Sequence, residues 1–157
     1  MCAVAKQGFH VDVRHRVAIV TGGAQGIGRA LCRALMREGA RHVVIADIDE
    51  NAARTLAAEL HGTAVRCDVS RETDIQHVVE IAEKTCGQVD MFVSNAGITV
   101  KGGPEVSNDD WQRLWEVNVM SQVYAARAVL PHMLARGEGY LVQISSAAGV
   151  LTEIGSA

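Results

Sequence analysis

The stretch TGGAQGIG, at positions 21–28, is the most informative part of this sequence. It follows an apolar, strand-like segment at 16–20 and leads into a helical pattern that opens near Gly26. Gly22 can adopt the φ angles of a tight turn, Gly26 would let a diphosphate approach the backbone, and Gly28 would let the helix pack closely on the strand. The start of such a helix offers unpaired N–H groups and a positive dipole end to phosphates. The alternative is a glycine-rich turn that binds no ligand.

Composition limits the classes of function. The 157 residues, 48% of them hydrophobic, suit one globular domain with a substantial core. The net charge is −3 and the charges are interspersed, so we expect no nucleic-acid partner. No apolar run approaches the ~18–20 residues of a membrane span, and positions 1–15 lack the apolar core of a signal peptide. We therefore expect a cytoplasmic protein without membrane contact, with a leader at 1–15 and one domain at 16–157.

The four cysteines form no CxxC pair, and no histidine stands at zinc-finger spacing. Cys32 and Cys67 fall in a predicted helix and a predicted strand, so we expect free, buried thiols in a reducing compartment. The six histidines are scattered without an HExxH motif, and we expect no metal site.

Strand-like and helix-like segments alternate, which predicts βαβ units and a parallel sheet. The predicted strands are 16–20, 42–47, 63–68, 89–94 and 140–145. The predicted inner faces of the first three helices are Ile27, Leu31 and Leu35, then Ala53, Leu56 and Leu60, then Ile75, Val78, Val79 and Ala82. The expected N-caps are Asp49, Ser70 and Ser107, and the expected helix stops are Gly39, Gly62 and Gly87. A longer helix is predicted at 108–136, with Pro131 kinking or breaking its last turns.

Right-handed crossovers favour a doubly wound α/β fold, with a parallel sheet of order 3-2-1-4-5 and a topological switch between the first and fourth strands. Such sheets bind ligands at the carboxyl ends of the strands near the switch. The glycine turn follows the first strand, and the polar residues at the ends of the others are Asp47, Asp68, Asn95 and Ser145. The sequence therefore predicts a nucleotide site at this edge of the sheet.

Asp47 follows Gly28 at close to the ~20-residue offset at which an acidic residue binds the adenosine ribose. Its carboxylate can accept both ribose hydroxyls and would repel a 2′-phosphate. Gln25 places no positive charge in the glycine turn for that phosphate, so we expect NAD in preference to NADP. The alternative for Asp47 is a solvated carboxylate at a strand end.

Two further positions have competing interpretations at the same edge. Asp68 could accept from the adenine amino group or cap the turn into the next helix. The run of Asn95, Ala96 and Gly97 places an amide and a flexible glycine at the mouth of the switch, or forms a plain turn.

Asn118 lies on the predicted long helix at a spacing that places it on one apolar face with Trp111, Leu114 and Trp115. A buried amide needs partners, so it either pins nearby backbone or orders water at a site. Ser145 could hydrogen-bond a ligand carbonyl or end its strand in an ST-turn. The chain has no G-x-S-x-G elbow, which argues against a hydrolase nucleophile.

As a set, these motifs resemble the short-chain dehydrogenase/reductase family, whose single-domain Rossmann fold interconverts alcohols and carbonyls with NAD(P). The resemblance covers positions 16–157. It rests on TGxxxGxG at 21–28, Asp47, the pair Asp68 and Val69, the NAG motif at Asn95 to Gly97, Asn118 and Ser145.

The resemblance implies a role for each matching position. The residues implied to hold the pyrophosphate are Gly22, Gly26, Ile27 and Gly28. Asp47 would select NAD, and Asp68 with Val69 would contact adenine. Asn95 and Gly97, on either side of Ala96, would support the sheet beside the ribose. Ser145 would orient the substrate carbonyl, and Asn118 would hold a water in a proton relay.

One motif of the family is missing from these residues. Its general acid/base is a Tyr in a YxxxK motif beyond the Ser, whereas Tyr124 and Tyr140 both precede Ser145 and lack a Lys four residues on. We therefore expect these residues to be part of a longer enzyme and to be inactive by themselves. We expect the complete enzyme to assemble through the long helix into a homodimer or homotetramer. A nucleotide-binding module without catalysis is the alternative.

Overall fold

The computed structural model describes residues 11–146. In chain order the elements are β1 Val17–Thr21, α1 Gly26–Arg37, β2 His42–Asp47, α2 Glu50–Leu60, β3 Thr63–Arg66, α3 Glu72–Cys86, β4 Met91–Ser94, α4 Asn108–Trp115, a π-helical turn Glu116–Met120, α5 Ser121–Arg136 and β5 Tyr140–Gln143. All strand pairs are parallel, and the sheet order is β3-β2-β1-β4-β5. This confirms the predicted doubly wound sheet, with its switch between β1 and β4.

The core lies on both faces of the sheet. All of β1 and β4 and all but the first residue of β2 are buried, as expected for strands covered by helices on both sides. Successive residues of β1 alternate between the two core layers: Ile19 packs in one layer and Val20 in the other. The near-continuous apolar strands are therefore what a sheet between two helical layers requires.

The helix ends follow local chemistry with two exceptions. Asp49 Oδ1 accepts the Ala52 N–H at 3.0 Å, and Ser107 Oγ accepts the Asp110 N–H at 3.1 Å, which confirms both predicted caps. Ser70 does not cap α3, because its hydroxyl donates to Asp68 instead. The left-handed residue that ends α2 is His61, with φ 53°, and not the predicted Gly62.

The inward face of α1 differs from the predicted one. The buried residues are Gly28, Cys32 and Leu35, whereas the side chain of Ile27 is 67% exposed. Gly28, which has no side chain, lies against the backbone of Gly22 in the glycine turn. In contrast, the buried residues of α3 are the four that the sequence predicts, Ile75, Val78, Val79 and Ala82.

The predicted helix at 108–136 is not uniform. Its irregularity lies in the π-helical turn at 116–120, while α5 continues through Pro131 to Arg136. The strands also end earlier than predicted: β3 at Arg66 and β5 at Gln143. Asp68 and Ser145 therefore stand in the segments after their strands.

A buried carboxylate that sequence reasoning missed ties the amino-terminal edge of the sheet. Asp90 accepts the Val17 N–H at 2.8 Å and the Gln88 side-chain amide at 2.8 Å. The guanidinium of Arg16 lies 3.5 Å from Asp90 and also pairs with Glu138. These bonds join the starts of β1 and β4 to the segment before β5, far along the chain.

Cys32, Cys67 and Cys86 are free thiols, and Cys2 lies outside the described residues. Within positions 11–146, no group of three or more His, Cys, Asp or Glu is placed to hold a metal ion. None of the helices that the structure describes is long and apolar enough to cross a membrane.

Candidate functional site

A groove of about 840 Å³ runs along the carboxyl edge of the sheet. Ten of the predicted site residues line it, namely Gly22, Gln25, Gly26, Ile27, Asp47, Asp68, Val69, Asn95, Ala96 and Gly97. They come from the carboxyl end of β2 and from the segments that follow β1, β3 and β4. Because all four strands run parallel, these segments meet at one edge, as the sequence predicts.

The glycine turn is shaped by close backbone approach. Gly22 has φ +60°, and a Cβ there would stand 2.9 Å from the Cα of Ala96. Gly28 lies behind the groove, where a Cβ would stand 2.1 Å from the carbonyl oxygen of Gly22. A Cβ at Gly26 would meet no atom within 4 Å. The turn is thus packed tightly on its inner side and open towards the groove.

Thr21, the first residue of the TGxxxGxG motif, joins this turn to the segment after β4. Its side chain is 3% exposed, and its Oγ1 accepts the N–H groups of Asn95 at 3.0 Å and Ala96 at 3.2 Å. The same hydroxyl donates to the carbonyl of Val93 at 3.3 Å. In return, the Asn95 side-chain amide donates to the carbonyls of Thr21 at 2.9 Å and Gly22 at 3.1 Å. The two halves of the switch are therefore fixed to each other.

Asp47 is 5% exposed although it lines the groove. Its Oδ2 accepts the N–H of Ala24 in the glycine turn at 2.9 Å, and its Oδ1 accepts the N–H of Asp49 at 3.0 Å. The alternative of a solvated carboxylate at a strand end is therefore wrong. The carboxylate keeps lone pairs beyond those two bonds, so it can still accept from a ligand hydroxyl.

Asp68 caps the turn after β3. Its Oδ1 accepts from the N–H of Ser70 at 3.1 Å and from the Ser70 hydroxyl at 2.7 Å.

Cys67, next to Asp68 in the chain, also lines the groove and is 2% exposed. Burial, reinforced by the carboxylate of Asp74, raises the pKa of the Cys67 thiol to about 12. The thiol is therefore protonated near neutral pH and forms an apolar wall.

Asn118 lies within the π-helical turn and pins the backbone of Ile98, a groove residue. Its Oδ1 accepts the Ile98 N–H and its Nδ2 donates to the Ile98 carbonyl, both at 2.9 Å. The prediction that Asn118 shares a buried apolar face with Leu114 and two tryptophans is wrong in part. Leu114 is buried, but Trp111 and Trp115 are 43% and 55% exposed. Both tryptophans belong to α4, ahead of the π-helical turn, whereas the amide of Asn118 faces the loop after β4.

Ser145 is exposed and follows β5. The N–H of the preceding Ile144 donates to the carbonyl of Ser94 at 2.9 Å, which continues the β4–β5 pairing towards the switch. The serine is thus held at the same edge of the sheet as the groove, beyond its lining.

The groove has walls that sequence reasoning missed. The further lining residues are Ile48, Cys67, Ser70, Ile98, Asp109, Gln112, Arg113, Glu116 and Val117. Four of them recur at helical spacing from Asp109 to Glu116, a pattern that an ordinary solvated helix face shares. Among the groove residues within positions 11–146, Arg113 is the one cation, and the lining also contains four carboxylates, those of Asp47, Asp68, Asp109 and Glu116.

Comparisons with known proteins agree with this architecture. The family model described as short chain dehydrogenase matches residues 16–157. The chain is 37% identical over 147 residues to a 4-formylbenzenesulfonate dehydrogenase of Comamonas testosteroni, covering 89% of this chain and 58% of the relative. It is 37% identical over 134 residues to 3beta-hydroxysteroid dehydrogenase 2 of Eggerthella lenta, covering 81% and 51%. The chain thus spans about half the length of these curated relatives.

A crystal structure of a short chain dehydrogenase/reductase from Burkholderia phymatum in complex with NAD superposes with a TM-score of 0.88. The two sequences are 31% identical, and the match covers 93% of this chain and 54% of that one. Fold, groove and family model agree, and the chain belongs to the short chain dehydrogenase family.

Proposed function

We propose that the protein is an oxidoreductase that moves a hydride between NAD and an alcohol or carbonyl compound, and that this chain supplies the coenzyme-binding part. The proposal rests on the shape of the glycine turn. The turn is packed tightly on its inner side at Gly28 and is open to the groove at Gly26. The NAD complex of the Burkholderia phymatum relative supports a nicotinamide dinucleotide as the ligand.

The residues present fit a dinucleotide. The cap residue Gln25 makes no side-chain hydrogen bond to the first turn of α1, and that turn holds no acidic residue. Its N–H groups and the helix dipole therefore favour the pyrophosphate, beside Gly22, Gly26 and Ile27. The carboxylate of Asp47 would accept the ribose hydroxyls, and Asp68 with Val69 would border the adenine.

When bound, the coenzyme supplies or accepts the hydride, and the protein supplies orientation and proton transfer. In this proposal the Ser145 hydroxyl donates to the substrate oxygen and orients the carbonyl. Asn118 keeps one amide hydrogen and one lone pair beyond its bonds to Ile98, so it can also hold a water. Relatives named as dehydrogenases of a formylbenzenesulfonate and of a hydroxysteroid support a small-molecule substrate of this class.

The test is a turnover assay of the full-length protein with NAD and a panel of primary and secondary alcohols, and with NADH and the matching carbonyls. The proposal expects coenzyme-dependent turnover that Ser145→Ala lowers without changing NAD affinity. Ser146→Ala is the matched control. NAD binding without turnover on any panel member would favour the non-catalytic nucleotide-binding module, and a protein that binds no dinucleotide would contradict both.

Coenzyme preference is a separate expectation. We expect the full-length protein to bind NAD at least about tenfold more tightly than NADP, a difference of about 1.4 kcal/mol. The reason is that the buried carboxylate of Asp47 would face the 2′-phosphate while Gln25 offers no compensating charge. Dissociation constants for both coenzymes check this, and equal or tighter binding of NADP would contradict it.

Assembly is proposed from an exposed apolar face. Six large apolar side chains along α4, the π-helical turn and α5 are exposed, at positions 111, 115, 119, 123, 130 and 134, and the largest exposed fractions are 55% for Trp115 and 70% for Leu134. Apolar patches of this kind mark interaction surfaces. We expect a homodimer or homotetramer of the full-length protein, and Trp115→Glu to shift it towards monomer in sedimentation. An oligomer unaffected by that substitution would place the interface elsewhere.

Location in the cytoplasm is part of the same proposal. The free thiols Cys32 and Cys67 suit a reducing compartment.

A further inference from the structure

We propose that Asp47 is a positioning residue as well as a coenzyme-selecting one: its carboxylate holds the glycine turn in the shape that receives the pyrophosphate. This inference rests on the proposed function, since it concerns the same dinucleotide site. Its consequence is that coenzyme choice and the shape of the phosphate site cannot be changed independently at this position.

The hydrogen bonds of the Asp47 carboxylate are the first observation in favour of a positioning role. A residue that only selected the ribose would present both oxygens to the groove. Here both oxygens are already engaged by backbone, Oδ2 with the Ala24 N–H at 2.9 Å and Oδ1 with the Asp49 N–H at 3.0 Å. Asp47 therefore links the turn after β1 to the start of α2.

The burial of Asp47 and of its partner Ala24 is the second observation in favour of a positioning role. Asp47 and Ala24 are each 5% exposed, so water cannot readily replace the carboxylate as the partner of the Ala24 N–H. The N–H group of Ala24 precedes the first turn of α1, and a hydrogen bond to an ionised acceptor is stronger than one to a neutral acceptor. The neighbouring Gly23 N–H has only a long bond, 3.4 Å, to the carbonyl of Ala46. The carboxylate is thus the short tie between β2 and this half of the turn.

The substitution Asp47→Asn tests whether Asp47 has one role or both. The amide keeps the size of the side chain but has one acceptor oxygen, so its NH₂ group must face either the Ala24 or the Asp49 N–H. If Asp47 only selected the coenzyme, losing its charge would raise the affinity for NADP above that of the wild type. If it also holds the turn, affinity for NAD falls and affinity for NADP does not rise.

The deciding measurement is amide hydrogen exchange at Ala24 in the ligand-free, full-length protein. We expect a protected Ala24 amide in the wild type and at least about tenfold faster exchange in Asp47→Asn, given the strength of a charge-assisted hydrogen bond. The Ile19 amide in the centre of β1 reports whether the fold is intact and should not change. Asp49→Asn is the charge-matched control, because asparagine caps α2 as well as aspartate does.

The outcomes divide cleanly. Faster Ala24 exchange together with unraised NADP affinity supports the proposal. Unchanged exchange, or faster exchange with NADP bound more tightly than by the wild type, overturns it. An unprotected Ala24 amide in the wild type overturns it too, even if Asp47→Asn does not fold. A wild-type protein that binds neither coenzyme contradicts the proposed function, while the exchange comparison still decides the positioning role.

Discussion

Gly28→Ala should lower the affinity of the full-length protein for NAD at least about 100-fold and its free energy of unfolding by about 3 kcal/mol, at the upper end of overpacking costs. The added Cβ would stand 2.1 Å from the carbonyl oxygen of Gly22 and 2.6 Å from the side-chain nitrogen of Asn95. Because the first of these atoms is backbone, relief requires α1 to move away from the turn. Calorimetric titration with NAD and urea unfolding measure the two effects.

Gly26→Ala is the matched control for this clash. It adds the same methyl group in the same turn, but the Cβ would meet no atom within 4 Å. Its stability cost should be confined to the strain of φ +52°, about 1–2 kcal/mol. A Gly28→Ala protein as stable as Gly26→Ala would show that α1 tolerates the displacement, contrary to the tight packing described above.

Thr21→Val should destabilise the full-length protein by about 2–4 kcal/mol, since it leaves two partly buried N–H groups without an acceptor at about 1–2 kcal/mol each. Valine matches threonine in shape but removes the oxygen that accepts the N–H groups of Asn95 and Ala96. The loss should also weaken NAD binding, because Asn95 in turn holds Gly22. Urea unfolding gives the stability change, and titration with NAD gives the affinity.

Thr21→Ser separates the hydroxyl from the methyl group at this position. Serine keeps the acceptor, so we expect a loss of about 1 kcal/mol from the missing methyl group and near-normal NAD binding. If the serine and valine proteins were equally destabilised, packing and not hydrogen bonding would explain the role of Thr21.

Local sequence was sufficient for much of the fold. The strand His42–Asp47 is the predicted one, the buried face of α3 matches residue for residue, and the caps at Asp49 and Ser107 form as expected. The strand order follows from alternation and crossover handedness. These features depend on periodicity and on contacts a few residues apart, which a single stretch of sequence contains.

The residues that line the groove could be predicted from the sequence only in part. The glycine turn, Asp47, Asp68 and Asn95 meet because parallel strands bring their carboxyl ends together. The wall from α4 was not predictable, since its polar residues share the pattern of any solvated helix. The π-helical turn also left no signal in the sequence, although it holds Asn118 against Ile98.

The order of the elements, the parallel sheet and the edge at which polar residues collect thus follow from the sequence alone. The packing of the elements is what leaves Ile27 exposed, places the Thr21 hydroxyl against the Asn95 N–H, and places the Asp47 carboxylate against the Ala24 N–H. These contacts join segments that lie far apart in the chain, so no local pattern contains both partners. Which residues meet depends on distances of a few ångströms between packed elements. Many other residues with the same local sequence pattern could have made these contacts.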